Sequence, residues 1–500
     1  MQALYSVDEI RALERTAATQ LAPGTLMHRA GVAAAHAALG LLPAGAATAV
    51  LVLAGPGNNG GDALEVAANL ADAGVDVTIV HLASGGAVAP ETAQALVRAR
   101  ASSAVFADAV PAGARWSLLV DGLFGIGLAR ALAGAARALV EAANGADCPV
   151  LALDVPSGLD ADTGAVVGGA AAIAVRATHT ITFIGDKPGL HTGQGCDHAG
   201  AVSVATLDVT AGPARAELSA PALFAPYLQA RASNSHKGSF GDVAVIGGAH
   251  GMAGAPVLSG RAALYAGAGR VFVAMLEPGP GYDSAHPELM MRAAAQIGFE
   301  RACVVLGPGM GSEPLAHDLV ARALASTAPL VIDADALNLI AATRSLQAML
   351  PRAAPTIMTP HPLEAARLLG VDSAAVQADR LASARTLAAR FGACVLVKGA
   401  GSVMARADGH VAINSTGNPG LATAGSGDVL AGLCGALLAQ GWPAWEALVG
   451  AVWMHGAAAD LLVDTGAGPI GLTAGELPAA LRTVRNRLVA QFRPAGRPRW

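Results

Sequence analysis

Lysine is scarce in this 500-residue chain: of 32 basic side chains only Lys187, Lys237 and Lys398 are lysine, and the rest are arginine. A compact ammonium and a planar guanidinium are not interchangeable, so the surviving lysines invite attention to their positions. Aromatic residues are 4% and charged residues 14%, against 53% hydrophobic, which excludes a disordered chain and points to alanine-packed globular domains. Cysteine is also sparse. Cys148, Cys196, Cys303, Cys394 and Cys434 are odd in number and show no CxxC spacing, which excludes a disulfide framework or a zinc site and predicts buried, reduced thiols. The net charge of −5 offers no general attraction to nucleic acid or anionic lipid. Asp8 and Glu9 precede any apolar run, unlike a signal peptide. Residues 31–61 carry no Asp, Glu, Lys or Arg, but Pro43 and Gly45 divide them into a helix and a strand, each too short to span a bilayer. A soluble, cytoplasmic protein is the expectation.

What is present is a repeated alternation. Short β-rich runs (AVLVLAG at 49–55, VDVTIVHL at 75–82, WSLLVDG at 116–122, VLALDVPSG at 150–158) alternate with alanine-rich helical segments. The pattern restarts with DVAVIGG at 242–248, RVFVAML at 270–276, ACVVLGPG at 302–309, PLVIDADAL at 329–337 and ACVLVKG at 393–399. This predicts two α/β domains with mostly parallel sheets covered on both faces. DVTAGPARAELSAP (208–221) has no period, placing a boundary near 215: a first domain over 1–212, a linker over 213–224, a second domain over 225–490 and a basic tail over 491–500. The closing RPAGRPRW is expected to fray.

In the first half, LVLAGPGNNGGDAL joins a strand to a helix, the usual crevice for ligands in α/β sheets. Its glycines let amide N–H groups approach a phosphate, and Asn58 and Asn59 add amides that a plain turn does not need. WSLLVDGLFGIGLAR leaves Asp121 at a second strand end, and VLALDVPSGLDADTG leaves Asp154 and Ser157 at a third. Alone, each aspartate reads as a helix N-cap; three convergent polar strand ends read as a site.

Together GPGNNGGD, DGLFGIGLAR and DVPSGLDADTG resemble the N-terminal domain of the NAD(P)HX epimerases, and LMHRAG and TFIGDKPGL extend the match over nearly all of 1–210. The resemblance implies a Rossmann-like three-layer domain. It implies a substrate site formed by Asn58, Asn59, Gly60, Gly61 and Asp62, by Gly125, Ile126, Gly127, Leu128, Ala129, Arg130 and Ala131, and by Asp154. It also implies a K⁺ ion held by Asn59, Asp121 and Ser157. Epimerisation breaks and remakes the C6–O bond of a hydrated nicotinamide, so Asp154 is the choice of acid/base and Lys187 the second candidate, for proton transfer or phosphate binding. Ala63 and His28 stand where the family usually has Gly and Glu. A helical Ala63 should change little, whereas His28 leaves any charge-dependent role of its position open.

In the second half, NSHKGSFGD, GMAGAP, LGPGMG, TPHPLE, VKGAGS and GNPGLATAGSGDVLAG carry the chemistry. Ala424 to Gly427 lead into Asp428 and an apolar helix. Successive N–H groups there form an anion hole for a transferring phosphate, and Asp428 can accept a hydroxyl proton. The set resembles the ribokinase-like, C-terminal NAD(P)HX dehydratase domain over about 225–490. Carried over by motif, Ala255, Gly309, Gly311, His361 and Asp428 face the hydrate, while Lys398, Gly399, Ala400, Gly401, Ser402 and Gly427 hold the nucleotide. Mg²⁺ should accompany ADP or ATP, and the fused, prokaryote-like arrangement leans to ADP. All three lysines are expected beside phosphates or a cationic ring.

The reading is therefore a bifunctional enzyme, an isomerase and a lyase, that epimerises R and S NADHX or NADPHX and dehydrates the S form. The expected assembly is a homo-oligomer without nucleic acid or membrane partners. Two alternatives remain open here: a vitamin or sugar-alcohol kinase with a non-catalytic first domain, and a scaffold or RNA-binding role for that domain.

Overall fold

A computed structural model describes residues 2–43, 48–83, 89–169 and 171–493. Gly45 and the tail from 494 onward, on which two of the expectations fall, lie outside these residues. The chain forms two compact units, Gln2–Ala216 and Glu217–Trp500.

The first unit is built on seven parallel strands ordered Val105–Ala107, Asp76–His81, Ala49–Ala54, Leu118–Gly122, Val150–Leu153, His179–Phe183 and Ala201–Ala205. Alternate residues of the strand Ala49–Ala54 enter opposite cores. Val50 and Val52 pack with Leu64 and Leu70 of the helix Asn58–Asp72, and Leu51 and Leu53 pack with Val140 of the helix Gly134–Asn144. That alternation makes three layers, with both sheet faces buried as a parallel sheet requires. The order reverses between Ala49–Ala54 and Leu118–Gly122, and the crevice outside their C-terminal ends is where such sheets bind ligands.

The second unit repeats this plan. Its parallel strands run Met290–Ala293, Arg270–Met275, Asp242–Gly247, Cys303–Leu306, Leu330–Ile332, Thr356–Met358 and Cys394–Val397, followed by antiparallel Val403–Ala405 and Val411–Ile413. Inside the stretch read as linker, the Ser219 N–H donates to Ile413 O and Phe224 is buried in this unit's core. The helix Ala444–Asp464 is long and apolar enough to cross a membrane by length alone, but Ala447, Val449 and Met454 pack it into the same core.

The thiol expectation needs a correction. None of the five cysteines forms a disulfide, yet only Cys303 and Cys434 are buried; Cys148 and Cys394 are half-buried and Cys196 is exposed.

Candidate functional site

In the first unit the glycine loop closes on itself. A Cβ on Gly60 would strike the carbonyl of Gly55, so glycine lets the helix Asn58–Asp72 start directly against the strand end. Gly122 likewise leaves space for the Ala63 methyl, which is why alanine is tolerated there. Asp121 is fully buried. It accepts from the Ser157 N–H at 2.8 Å, the Ser157 hydroxyl at 2.7 Å and the Leu123 N–H at 3.2 Å. Burial pushes its carboxyl up to about 6 against those bonds. Nearby, Asn59 is buried with neither amide atom partnered among the described residues. A buried, unsatisfied amide is costly, and its oxygen, with the Asp121 carboxylate and the Ser157 hydroxyl, suits a hard cation that takes oxygen ligands.

Asp154 is no N-cap. It follows the strand Val150–Leu153 with φ +64°, a left-handed conformation that is uncommon for a residue with a side chain. One carboxylate oxygen accepts from Lys187 Nζ at 2.6 Å. The other faces Gly125, 3.2 Å from where a Cβ would stand, with Asn59 on the same side. The structure thus brings Asn59, Gly125 and Asp154 together. Lys187 is wholly buried, and its remaining two protons go to Thr182 Oγ1 at 2.6 Å and Phe183 O at 2.8 Å. With every donor used, Lys187 has none for phosphate; it positions Asp154, and the phosphate-binding expectation is corrected.

Asn58 and Asp62 line a cavity of about 420 Å³ together with Glu14, Phe183 and Ile184. Burial first, then the charge of Asp154, holds the Asp62 carboxyl well above the usual range and raises that of Glu14. Gly127, Ala129, Arg130 and Ala131 lie exposed on the outer part of their loop, while Ile126 and Leu128 are half-buried. His28 lies mostly exposed, 3.2 Å from Glu65, which Arg98 also engages.

In the second unit, strand ends again converge. Gly309 packs against Ala255, whose Cβ lies 3.3 Å from where a Gly309 Cβ would stand. The Gly311 N–H donates to Asp335 at 2.8 Å. Asp333, directly after Leu330–Ile332, accepts from Lys398 Nζ at 2.6 Å. Gly427 lies beside the same ammonium, its Cβ position 3.2 Å from Nζ. Burial works against the Lys398 charge, but Asp333 and Glu364 outweigh it and raise its pKa. Gly425, at φ +88°, turns the chain into the helix Ser426–Ala439, so that Asp428 stands in its first turn. Burial, then the charge of Asp333, pushes the Asp428 carboxyl up to about 6, against the pull of Lys398. That suits a general base near neutral pH.

His361 caps the helix Pro362–Leu369. Its ring accepts from the Leu363 N–H at 3.1 Å, and Glu364 accepts from its backbone N–H at 2.8 Å. Burial lowers the imidazole's pKa and pushes Glu364 up to about 7. Lys398 to Ser402 form a tight turn closed by the Ser402 hydroxyl on Gly399 O, with the Arg380 guanidinium bonded to Ala400 O.

Lys237 does not join either site. It precedes the strand Asp242–Gly247 and is exposed at the sheet's opposite edge, because parallel strands gather only their C-terminal ends at a site. Sequence reasoning also passed over Asp333, Asp335, Glu364, Glu14 and Arg380. For Asp333 the signal was present: an aspartate ending an apolar run, as at Asp121 and Asp154.

Comparison with known proteins agrees with this division. Residues 23–189 match the family model "YjeF-related protein N-terminus" and residues 243–479 match "NAD(P)H-hydrate dehydratase". The bifunctional NAD(P)H-hydrate repair enzyme of Escherichia coli (strain K12) is 37% identical over 502 residues, covering 97% of this chain and 94% of that protein. Its counterpart in Coxiella burnetii is 36% identical over 500 residues, covering 97% of this chain and 100% of that protein. An ADP/ATP-dependent NAD(P)H-hydrate dehydratase from Bacillus subtilis, co-crystallised with ATP/Mg²⁺, aligns with 27% identity and a TM-score of 0.47 over 54% of this chain and 97% of that one. The kinase alternative is not favoured. The chain, an α/β protein with an epimerase-type and a dehydratase-type half, belongs to the bifunctional NAD(P)H-hydrate repair enzymes.

Proposed function

We propose that the first unit interconverts the epimers of NAD(P)HX at Asp154 and that the second dehydrates the S epimer with a nucleotide at Asp428. The observation that carries this is the pair of carboxylates at convergent sheet edges, one fixed by Lys187 and one rising from a glycine-built helix start. In the epimerase, the ring nitrogen's lone pair expels the C6 hydroxyl, Asp154 supplies the proton that makes water of it, and water returns to the other face as Asp154 takes a proton back. The carboxylate offsets the positive charge on the ring between these steps. Asn58 to Asp62 bind the dinucleotide at the helix start, with the loop Gly125 to Ala131 opposite. Asn59, Asp121 and Ser157 would hold K⁺, which supplies fixed positive charge beside the substrate; the unpartnered Asn59 amide supports this.

In the dehydratase, Asp428 removes the proton of the C6 hydroxyl as its oxygen attacks the terminal phosphate of ADP or ATP. The bond from that phosphorus to the nucleotide's bridging oxygen breaks. The C6–O bond then breaks with inorganic phosphate leaving, and loss of a C5 proton restores the reduced ring. Phosphate leaves far more readily than hydroxide, which gives a kinase-type site its use here. The Ala424–Gly427 amides and Lys398 hold the transferring phosphate, Lys398 to Ser402 the nucleotide, and Ala255, Gly309, Gly311 and His361 the hydrate. Mg²⁺ would be carried mainly by the nucleotide's phosphates and water, as it usually is in such sites. ADP is the preferred nucleotide and a homo-oligomer the assembly. Purified protein given mixed R and S hydrate with ADP, then ATP, tests the reading. Full recovery of reduced nicotinamide absorbance supports both activities, and a stable phosphorylated product would instead favour a kinase.

A further inference from the structure

A cavity of about 720 Å³ in the second unit lies away from Asp428, where the helix Gly254–Tyr265 ends before the strand Arg270–Met275 begins. Arg231, Arg482, Arg485 and Arg493 all line it, and Glu288 is its one acidic lining residue. In the same unit Arg261 meets Asp283 and Arg270 meets Asp242. The four lining arginines have no carboxylate partner among the described residues: Arg231 is bonded to Gly267 O and Arg485 to Ala266 O and Gln440. Arg482 stacks 4.8 Å from the Tyr265 ring. Carbonyls and rings fix a guanidinium in place without neutralising it. The burden is visible at Arg485, where burial and then the charge of Arg231 lower its pKa to about 10. Three further nitrogens are buried without a hydrogen-bond partner among the described residues: His286 Nδ1, which lies 3.6 Å from the Asp283 carboxylate, and Nε and one terminal nitrogen of Arg493.

Guanidiniums pair bidentately with phosphate oxygens, and four of them call for more than one negative charge. The volume exceeds what a lone phosphate needs and falls in the usual range for small-molecule sites. The Tyr265 and His286 rings, 5.4 Å apart, add an aromatic wall. We propose that this cavity is a second, non-catalytic anion site that takes the pyrophosphate group of a nucleoside diphosphate or dinucleotide.

The test titrates the intact protein with inorganic pyrophosphate by calorimetry, comparing wild type with Arg482→Gln and with Arg231→Gln/Arg482→Gln. The expected result is a saturable site weakened at least tenfold in the double variant and partly restored by Arg482→Lys. The ADP KM and the dehydration rate should stay within twofold. Identical titrations of wild type and variants would overturn the proposal, as would parallel loss of pyrophosphate binding and of ADP use, which would assign the binding to the catalytic site. Arg482 is exposed, so the single variant decides if the double one folds poorly.

Discussion

Both units run their seven parallel strands in the same spatial order, and in both an aspartate directly after the fifth strand in sequence holds a lysine at 2.6 Å. The environments differ. Lys187 is fully buried with three acceptors, whereas the Lys398 side chain is 22% exposed and bonds one carboxylate. A lysine with every donor used can only position its aspartate, so Lys187 holds Asp154, the residue we propose as the acid/base. A lysine with donors to spare can meet phosphate, so Asp333 holds Lys398, and the carboxylate proposed as the base, Asp428, comes from the helix Ser426–Ala439. The same strand-end pair is thus suited to two different roles because its exposure differs.

The comparison breaks most sharply at the reacting groups. Asp428→Asn should lower the dehydration rate by about 10²–10⁴-fold while the epimers still interconvert, as NMR of the two forms would follow. Asp333→Asn should instead act through Lys398, mainly on the nucleotide KM. Next, Lys187→Met leaves Asp154 unpaired in a mostly buried site and should cost about 3–5 kcal/mol in denaturant unfolding, together with epimerase activity. Lys187→Met with unchanged stability would show that the first pair holds nothing.

Two intermediate effects sharpen the second site. Lys398→Arg keeps the charge but should raise the nucleotide KM roughly tenfold, because a fork does not replace an ammonium in contact with Gly427. Asp428 acts as a base only when ionised, and its carboxyl is raised to about 6. Dehydratase kcat/KM should therefore fall roughly tenfold from pH 7 to pH 5 and level off above neutrality. A flat profile would remove Asp428 as base. Smallest of all, Lys237→Ala should change either activity less than twofold, since that lysine lies at the other edge of its sheet.

Much of this was legible in the chain. All nine β-rich runs became strands, because period and composition locate buried parallel strands well. The short edge strands Val105–Ala107 and Met290–Ala293 carry too little apolar pattern to announce themselves. The motifs singled out Asp121, Asp154, Ser157 and Asp428, since each stands in a glycine-rich string, and the fold brings Ser157 onto Asp121, pairs Asp154 with Lys187 and sets Asp428 in a helix's first turn. Asp333 and Glu14 were missed for the opposite reason: neither has such a string, and only folding brings Asp333 to Lys398 and Glu14 into the cavity beside Asp62. The lysine count misled at Lys237, and at Lys187 as to phosphate. Composition marks a residue as unusual, but only topology says at which edge of a sheet it lies.

The most direct test of two chemistries on two aspartates is the recovery of reduced nicotinamide from mixed R and S hydrate with ADP, run on Asp154→Asn and Asp428→Asn and corrected for uncatalysed interconversion. Asp154→Asn should recover the S fraction and stop, and Asp428→Asn should recover almost nothing while still equilibrating the epimers. Full recovery by Asp154→Asn, or rapid recovery by Asp428→Asn, would contradict the assignment.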